Sequence, residues 1–157
     1  MHKTHNDLPK GVRKTVIDLL AARLSDAIDL QTQCKQAHWN VRGSDFISLH
    51  ELFDRVNEDV EDYVDEIAER IAQLGGVVHG TARVAAKKST LKEYPLDISK
   101  GEDHVEALSS ALAQFGAKAR AAIDAADKAG DKDTADIFTE ISRGTDKWLW
   151  FVEAHGQ

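Results

Sequence analysis

The chain has one cysteine, two prolines, few aromatic residues and no run of the roughly 20 apolar residues that a membrane-spanning helix needs. Each shortage excludes something. A lone cysteine, Cys34, rules out an intrachain disulfide framework and reads as a small buried or interfacial side chain. With only Pro9 and Pro95 as helix breakers, beside abundant Ala, Leu, Ile, Asp and Glu, an all-α protein is the expectation. The polar start MHKTHNDLPKG lacks the apolar core of a signal peptide, so a cytoplasmic location is expected. Positive charge is also short. Twenty Lys and Arg face 27 Asp and Glu, a formal net charge of −7, which argues against a surface coated with cation to grip nucleic acid. A chain of 157 residues is long enough for one domain with a sizeable core and too short to suggest two.

What is present is helical periodicity. Val12, Val16, Leu19, Leu20, Leu24, Ala27, Leu30, Cys34 and Ala37 recur at three- and four-residue steps, which predicts a helix from about Lys10 to Asn40. Gly43 and Ser44 interrupt the pattern, with Ser44 as a candidate N-cap. The pattern resumes from Phe46 to Leu74 and should stop at Gly75-Gly76, where glycine can take the left-handed cap conformation. Residues 75 to 103 are too long for a simple bundle connection and should hold a short helix near Thr81 to Lys88. Two further runs, about Asp103 to Ala129 and Thr134 to Ala154, flank the polar GDKD. Four long helices with one long crossover between the second and third describe the ferritin-like bundle, with other crossover bundles still open. Residues 1–9 are expected to form a flexible tail and 10–157 the bundle.

The second helix carries the chemistry. Between Asp45 and Arg70 lie ten carboxylates against Arg55 and Arg70. His50 and Asp54 are four apart, as are Asp65 and Glu69, so each pair projects from one face. Asp54 and Asp65 are eleven residues apart, three turns with only about 20° of drift, so both pairs share a stripe. Along the axis, however, eleven residues span roughly 16 Å, far beyond a metal–ligand bond of about 2 Å. One chain cannot close such a site. Two copies of the helix packed antiparallel about a twofold axis would bring His50 and Asp54 of one chain opposite Asp65 and Glu69 of the other. His38, near the end of the first helix, is a further candidate. A mixed imidazole and carboxylate set suits iron, manganese or zinc better than magnesium or calcium. The plainer reading is that a His and an Asp four apart form a surface ion pair. No Glu is followed three residues later by His, which disfavours a di-iron centre inside the bundle.

Among the remaining residues, His2 and His5 read as solvated tail, His79, His104 and His155 as surface or hydrogen-bonding groups, and Trp148, Trp150 and Phe151 as core and interface packing.

The run from HWNVRG at His38 through SDFISLHELFD to Asp54 resembles the first signature of the Dps mini-ferritins, and VDEIAERIAQLGG from Val64 to Gly76 resembles the second. The similarity continues through GTARV, YPLDI, DHVEAL, TADIF and KWLWFVE and so covers nearly the whole chain. Val78 departs from the commonest pattern, outside the candidate ligands. The resemblance implies a homododecameric shell of ferritin-like four-helix subunits with two iron ions at each inter-subunit site. His38, His50 and Asp54 would come from one subunit and Asp65 and Glu69 from its twofold neighbour, with Trp39 supporting them from alongside. It implies Fe(II) oxidation, mainly by hydrogen peroxide, storage of the ferric product as mineral, and protection of DNA from oxidative damage. Asp131, Asp133 and Asp136 fall where the family's threefold iron-entry pores are lined, although acids at a helix start also simply favour its dipole. DNA binding in the family follows a basic tail. Residues 1–14 hold Lys3, Lys10, Arg13 and Lys14 against Asp7, so a DNA-condensing protein with secondary metal binding is the alternative, and a plain helical bundle the third reading.

Overall fold

The computed structural model describes residues 1–156. It contains α1 (Lys10–Asn40), α2 (Phe46–Gln73), α3 (Ala82–Lys88), α4 (Gly101–Ala129) and α5 (Lys132–Glu153). Among the described residues there is no strand, only an isolated bridge between Arg42 and Lys100. Among the described residues no helix is long and apolar enough to cross a membrane. The four long helices are two hairpins, α1 with α2 and α4 with α5, and α1 also packs on α4. Their inward stripes, including Leu20, Leu24 and Leu30 of α1, Phe53 and Ile67 of α2, Phe115 of α4 and Phe138 of α5, are sealed from water. Each such side chain contributes about 1.5–3 kcal/mol of hydrophobic stabilisation.

Helix ends follow local chemistry. At the end of α2, Gly75 adopts φ +83, and the amides of Gly75 and Gly76 bond back to the carbonyls of Ala72 (2.9 Å) and Ile71 (2.8 Å). This Schellman pair satisfies two carbonyls that the helix would otherwise leave bare. The expected cap at Ser44 is not what forms. Asp45 is the N-cap residue of α2, without a side-chain cap bond, and the Ser44 hydroxyl is instead donated to the Asp45 carboxylate at 3.1 Å. At α5 the Asp131 carboxylate does cap, accepting from the Thr134 amide at 3.1 Å.

The long crossover is held by buried polar groups of α1. Asp26, fully buried, accepts from the Thr90 amide (2.7 Å) and hydroxyl (2.9 Å) and from Arg23 Nε (2.9 Å). Gln33 donates to the Lys92 carbonyl at 3.0 Å. Tyr94 Oη and His104 Nδ1 pair at 2.7 Å, and both residues are buried. Burial pushes His104 below the ordinary histidine value, which favours the neutral ring. Cys34 is buried and burial pushes its thiol up to about 12, which leaves it chemically inert.

Residues 1–9 form no helix. They touch the bundle at the end of α2, where the His2 amide donates to the Gly75 carbonyl at 2.6 Å. Arg13 braces the same place, donating from Nε to the Leu8 carbonyl (3.0 Å) and from an Nη to the Leu74 carbonyl (3.1 Å).

Candidate metal centre

The turn between α1 and α2 brings two histidines twelve residues apart into face-to-face contact. The rings of His38 and His50 stack with centroids 3.7 Å apart and an interplanar angle of 20°. His38 Nδ1 lies 2.7 Å from the His50 carbonyl, and His50 Nδ1 lies 2.8 Å from the His38 carbonyl. A carbonyl can only accept, so each neutral ring must carry its proton on Nδ1 and leave the Nε2 lone pair free. This is the tautomer and the second-nitrogen anchoring that a metal-binding imidazole needs. Phe46 packs beside His50 with ring centroids 5.0 Å apart, closing one side of the pair.

Asp54 stands one turn further along α2. Its Oδ1 lies 3.9 Å from His38 Nδ1 and accepts from Lys35 Nζ at 2.6 Å. That bond holds the Asp54 carboxyl below its usual range, against a smaller opposing effect of burial. Lys35 is the group that the sequence reading missed. It lies three residues before His38 on α1, on the same face, and its ammonium also sits 5.8 Å from the Trp39 ring centroid. Trp39 itself is 62% exposed, far more than a tryptophan settled in a monomer's core.

The other two candidates are unlike these. Asp65 and Glu69, on the later turns of α2, are exposed and form no ion pair among the described residues. Nor do any three His, Cys, Asp or Glu side chains of the described residues converge on a metal position within the chain. The single chain thus stacks His38 on His50 and sets Asp54 beside His38, short of a closed metal position, with Asp65 and Glu69 on later turns of α2.

The three acids at the start of α5 also divide. Asp131 is buried, accepts two bonds from Arg70 (2.8 and 3.0 Å) and is bonded by the Thr134 hydroxyl at 2.6 Å. Burial raises its pKa, but the Thr134 and Arg70 bonds outweigh it and hold the carboxyl below the ordinary range. Asp133 and Asp136 are exposed, Asp133 with one oxygen 3.7 Å from Arg70. His2, His5, His79 and His155 are exposed, whereas His104 is buried in the crossover contact described above. Trp148 is buried and donates to Asp59 at 2.6 Å, while Trp150 is 66% exposed.

Comparison with known proteins agrees with this architecture. Residues 17–157 match the model of the ferritin-like domain family. The DNA protection during starvation protein of Agrobacterium fabrum is 47% identical over 156 residues, spanning 99% of this chain and 96% of that one. Its namesake from Mycolicibacterium smegmatis is 36% identical over 89% of this chain and 76% of its own. Among solved structures, Mycobacterium smegmatis Dps superposes with a TM-score of 0.92 at 33% identity, covering 98% of this chain and 93% of that one. Helices, crossover and sequence therefore place the chain in the Dps family of ferritin-like proteins.

Proposed function

We propose that this chain is a subunit of an iron-oxidising shell of twelve copies. In this reading His38, His50 and Asp54 of one subunit and Asp65 and Glu69 of its twofold neighbour hold two Fe(II) ions, with Trp39 packed at the seam. The observation that carries the reading is the reciprocal bonding of the two imidazoles, which leaves both Nε2 lone pairs free for the same kind of ligand. The donor set fits iron, since imidazole and carboxylate together suit redox-active first-row metals. The exposed Trp39 and the bare Asp65 and Glu69 fit a surface that a second copy covers.

Fe(II) is the substrate. Two Fe(II) ions, one hydrogen peroxide and two protons give two Fe(III) ions and two waters. Drawing both electrons from one site avoids the one-electron cleavage that would release hydroxyl radical. The chain's own residues bind and orient. His38 and His50 present neutral nitrogen donors without having to lose a proton at Nε2, and Asp54 supplies negative charge once Lys35 swings away. Ferric product would be stored inside the shell, protecting DNA in the cytoplasm from oxidative damage. Asp133 and Asp136 are the exposed carboxylates for an iron-entry pore. Asp131 contributes there as the clamp that fixes the start of α5, because its oxygens are engaged by Arg70 and Thr134.

Stopped-flow Fe(II) oxidation with peroxide and with oxygen, on particles of measured mass, tests this directly. Replacing His38 and His50 together with alanine should leave the particle mass unchanged. It should slow peroxide-driven oxidation beyond the roughly 10–100-fold that loss of a mere supporting partner costs. Oxidation at the parent rate in that variant would refute the assignment.

DNA binding through the tail is the second reading, carried by Lys3, Lys10 and Lys14, since Arg13 is committed to backbone carbonyls. Twelve tails would act multivalently and with steep salt dependence. A gel shift at low salt that disappears on deleting residues 1–10 supports it, and an unchanged shift removes the tail from the account.

A further inference from the structure

Residues 89–100, the irregular run between α3 and α4, are fastened at both ends to the helices beneath. At the α3 end Asp26 and Gln33 bond the backbone of Thr90 and Lys92. At the α4 end the Arg42 amide donates to the Ser99 carbonyl at 2.8 Å. There Tyr94 is also joined to His104 by the 2.7 Å contact of Oη with Nδ1, the rings stacked with centroids 6.0 Å apart. This second fastening carries an unpaired group. His104 is 1% exposed, and its Nε2 is a buried polar atom without a hydrogen-bond partner among the described residues.

Both tautomers of the neutral ring leave that atom unpaired. If the phenol donates to Nδ1, the ring proton sits on Nε2 and finds no acceptor; if Nδ1 donates to the phenol, Nε2 is a lone pair without a donor. The neutral ring bears this at a cost. A protonated ring is far worse placed, because both nitrogens must then donate and the charge lies where water does not reach. Burial disfavours that charge most, while Asp103 of α4 and the carbonyls of Ile98 in the crossover and Asn40 in α1 favour it without overcoming burial. Cys34 of α1 faces Tyr94 and, with its thiol pushed up to about 12, brings no charge. A proton on His104 is therefore relieved by movement. The helices α1 and α4 are held by their own hydrogen bonds on every turn, whereas residues 89–100 form no helix or strand, so the crossover is the element that yields.

We propose that Tyr94 and His104 form an acid-operated latch: with His104 neutral the crossover lies closed on α4 and the end of α1, and protonation of His104 releases residues 93–100 so that the imidazolium reaches water. The release extends beyond the pair. Tyr94 and Leu96 line, together with Trp39, a cleft of about 790 Å³, and Tyr94, Pro95 and Ile98 line a second of about 330 Å³ against α4. The step is a proton transfer from solvent to the imidazole, and no electron moves. Its sign follows from burial. The open form takes up a proton that the closed form refuses, so the closed state holds in full above the ordinary histidine value of about 6.5 and weakens as the pH falls below it.

Hydrogen exchange read by mass spectrometry on assembled particles, with rates corrected for the intrinsic effect of pH, measures the opening. The series is run in the parent and in the H38A/H50A variant, which removes the titration of the candidate ligands. Opening of peptides within 90–104 should rise severalfold, up to about tenfold, between pH 7.5 and 5.5, while peptides from the middle of α4 and α5 keep their protection. His104→Gln and His104→Phe remove the titrating ring in two different ways, and either should abolish the rise. Tyr94→Phe, which keeps the ring, should raise the opening already at pH 7.5 by about two- to tenfold. Flat exchange in the parent, a rise that persists without His104, or loosening that spreads equally through α4 and α5 overturns the proposal. No iron enters this assay, so its outcome is independent of the stopped-flow test of the histidine centre.

Discussion

The two ends of α2 are built on opposite principles. At its first turns His50 is stacked on His38, anchored to a backbone carbonyl and followed by Asp54 in contact with Lys35. At its later turns Asp65 and Glu69 stand in solvent. One half is preorganised by the chain that owns it. The other is a helix bearing two exposed, unpaired carboxylates among the described residues. In the proposed centre, organisation within one chain would go to the donors that need it. An imidazole must have the right tautomer and direction, whereas a carboxylate offers two oxygens and tolerates rotation. Such a division suits the proposed shared centre, in which the exposed acids of a second chain would face, across bound iron, a pair of nitrogens already fixed.

The acid half is not loosely held in its backbone. Arg70, next to Glu69, is buried and bonds Asp131, Thr134 and Gln73, which ties the last turns of α2 to the start of α5. Removing one partner of a buried ion pair costs about 3–5 kcal/mol. Arg70→Met should therefore give the largest stability loss at either end of the helix, read as a shift in the denaturant midpoint. The pH dependence has a definite sign. Asp131 is depressed in the folded state, so its contribution is complete above the ordinary carboxylate value of about 3.9 and fades as pH falls through its lower folded value. The gap between parent and variant should narrow in acid below about pH 4. A gap that widened there would break the account of this end.

Lys35, at the other end of the helix, should give a smaller effect. Its ammonium bonds Asp54 at 2.6 Å and competes with any cation for that carboxylate. A partly exposed pair of this kind is worth about 0.2–1 kcal/mol. Lys35→Gln should thus raise Fe(II) affinity by up to about fivefold, measured by calorimetry under nitrogen, and hardly change stability. Asp54 should at the same time titrate higher, so the gain should fade as pH drops toward the carboxylate range. Weaker binding in Lys35→Gln would instead make the lysine a support of the site.

Much of this was legible in the sequence, and the rest has physical reasons for being hidden. The heptad-like spacing in α1 and α2 gave their extents, and Gly75 marked its Schellman turn, because periodicity and left-handed caps are local properties. The shared stripe of His50, Asp54, Asp65 and Glu69 follows from helix geometry alone. Ser44 misled because two adjacent polar residues, Ser44 and Asp45, compete for the same cap. The mutual anchoring of His38 and His50 depends on the angle of the turn between two helices, which no spacing encodes. Asp131 was grouped with Asp133 and Asp136 on sequence proximity. Its burial arises from Arg70, 61 residues away. His104 and Asp26 were likewise invisible as buried groups, since their partners Tyr94 and Thr90 come from an irregular crossover.

The central claim is that each centre is shared between two chains, and co-assembly of complementary defective subunits measures it most directly. One subunit lacks the histidine half through His38→Ala and His50→Ala; the other lacks the acid half through Asp65→Ala and Glu69→Ala. Shells of either alone should oxidise Fe(II) no faster than buffer. In shells refolded from an equal mixture, half of the twofold pairs are mixed, and each mixed pair regains one of its two sites. Peroxide-driven oxidation should return to about a quarter of the parent rate. Mixed shells that stay as inactive as their parents, despite parent-like mass, would contradict a shared centre.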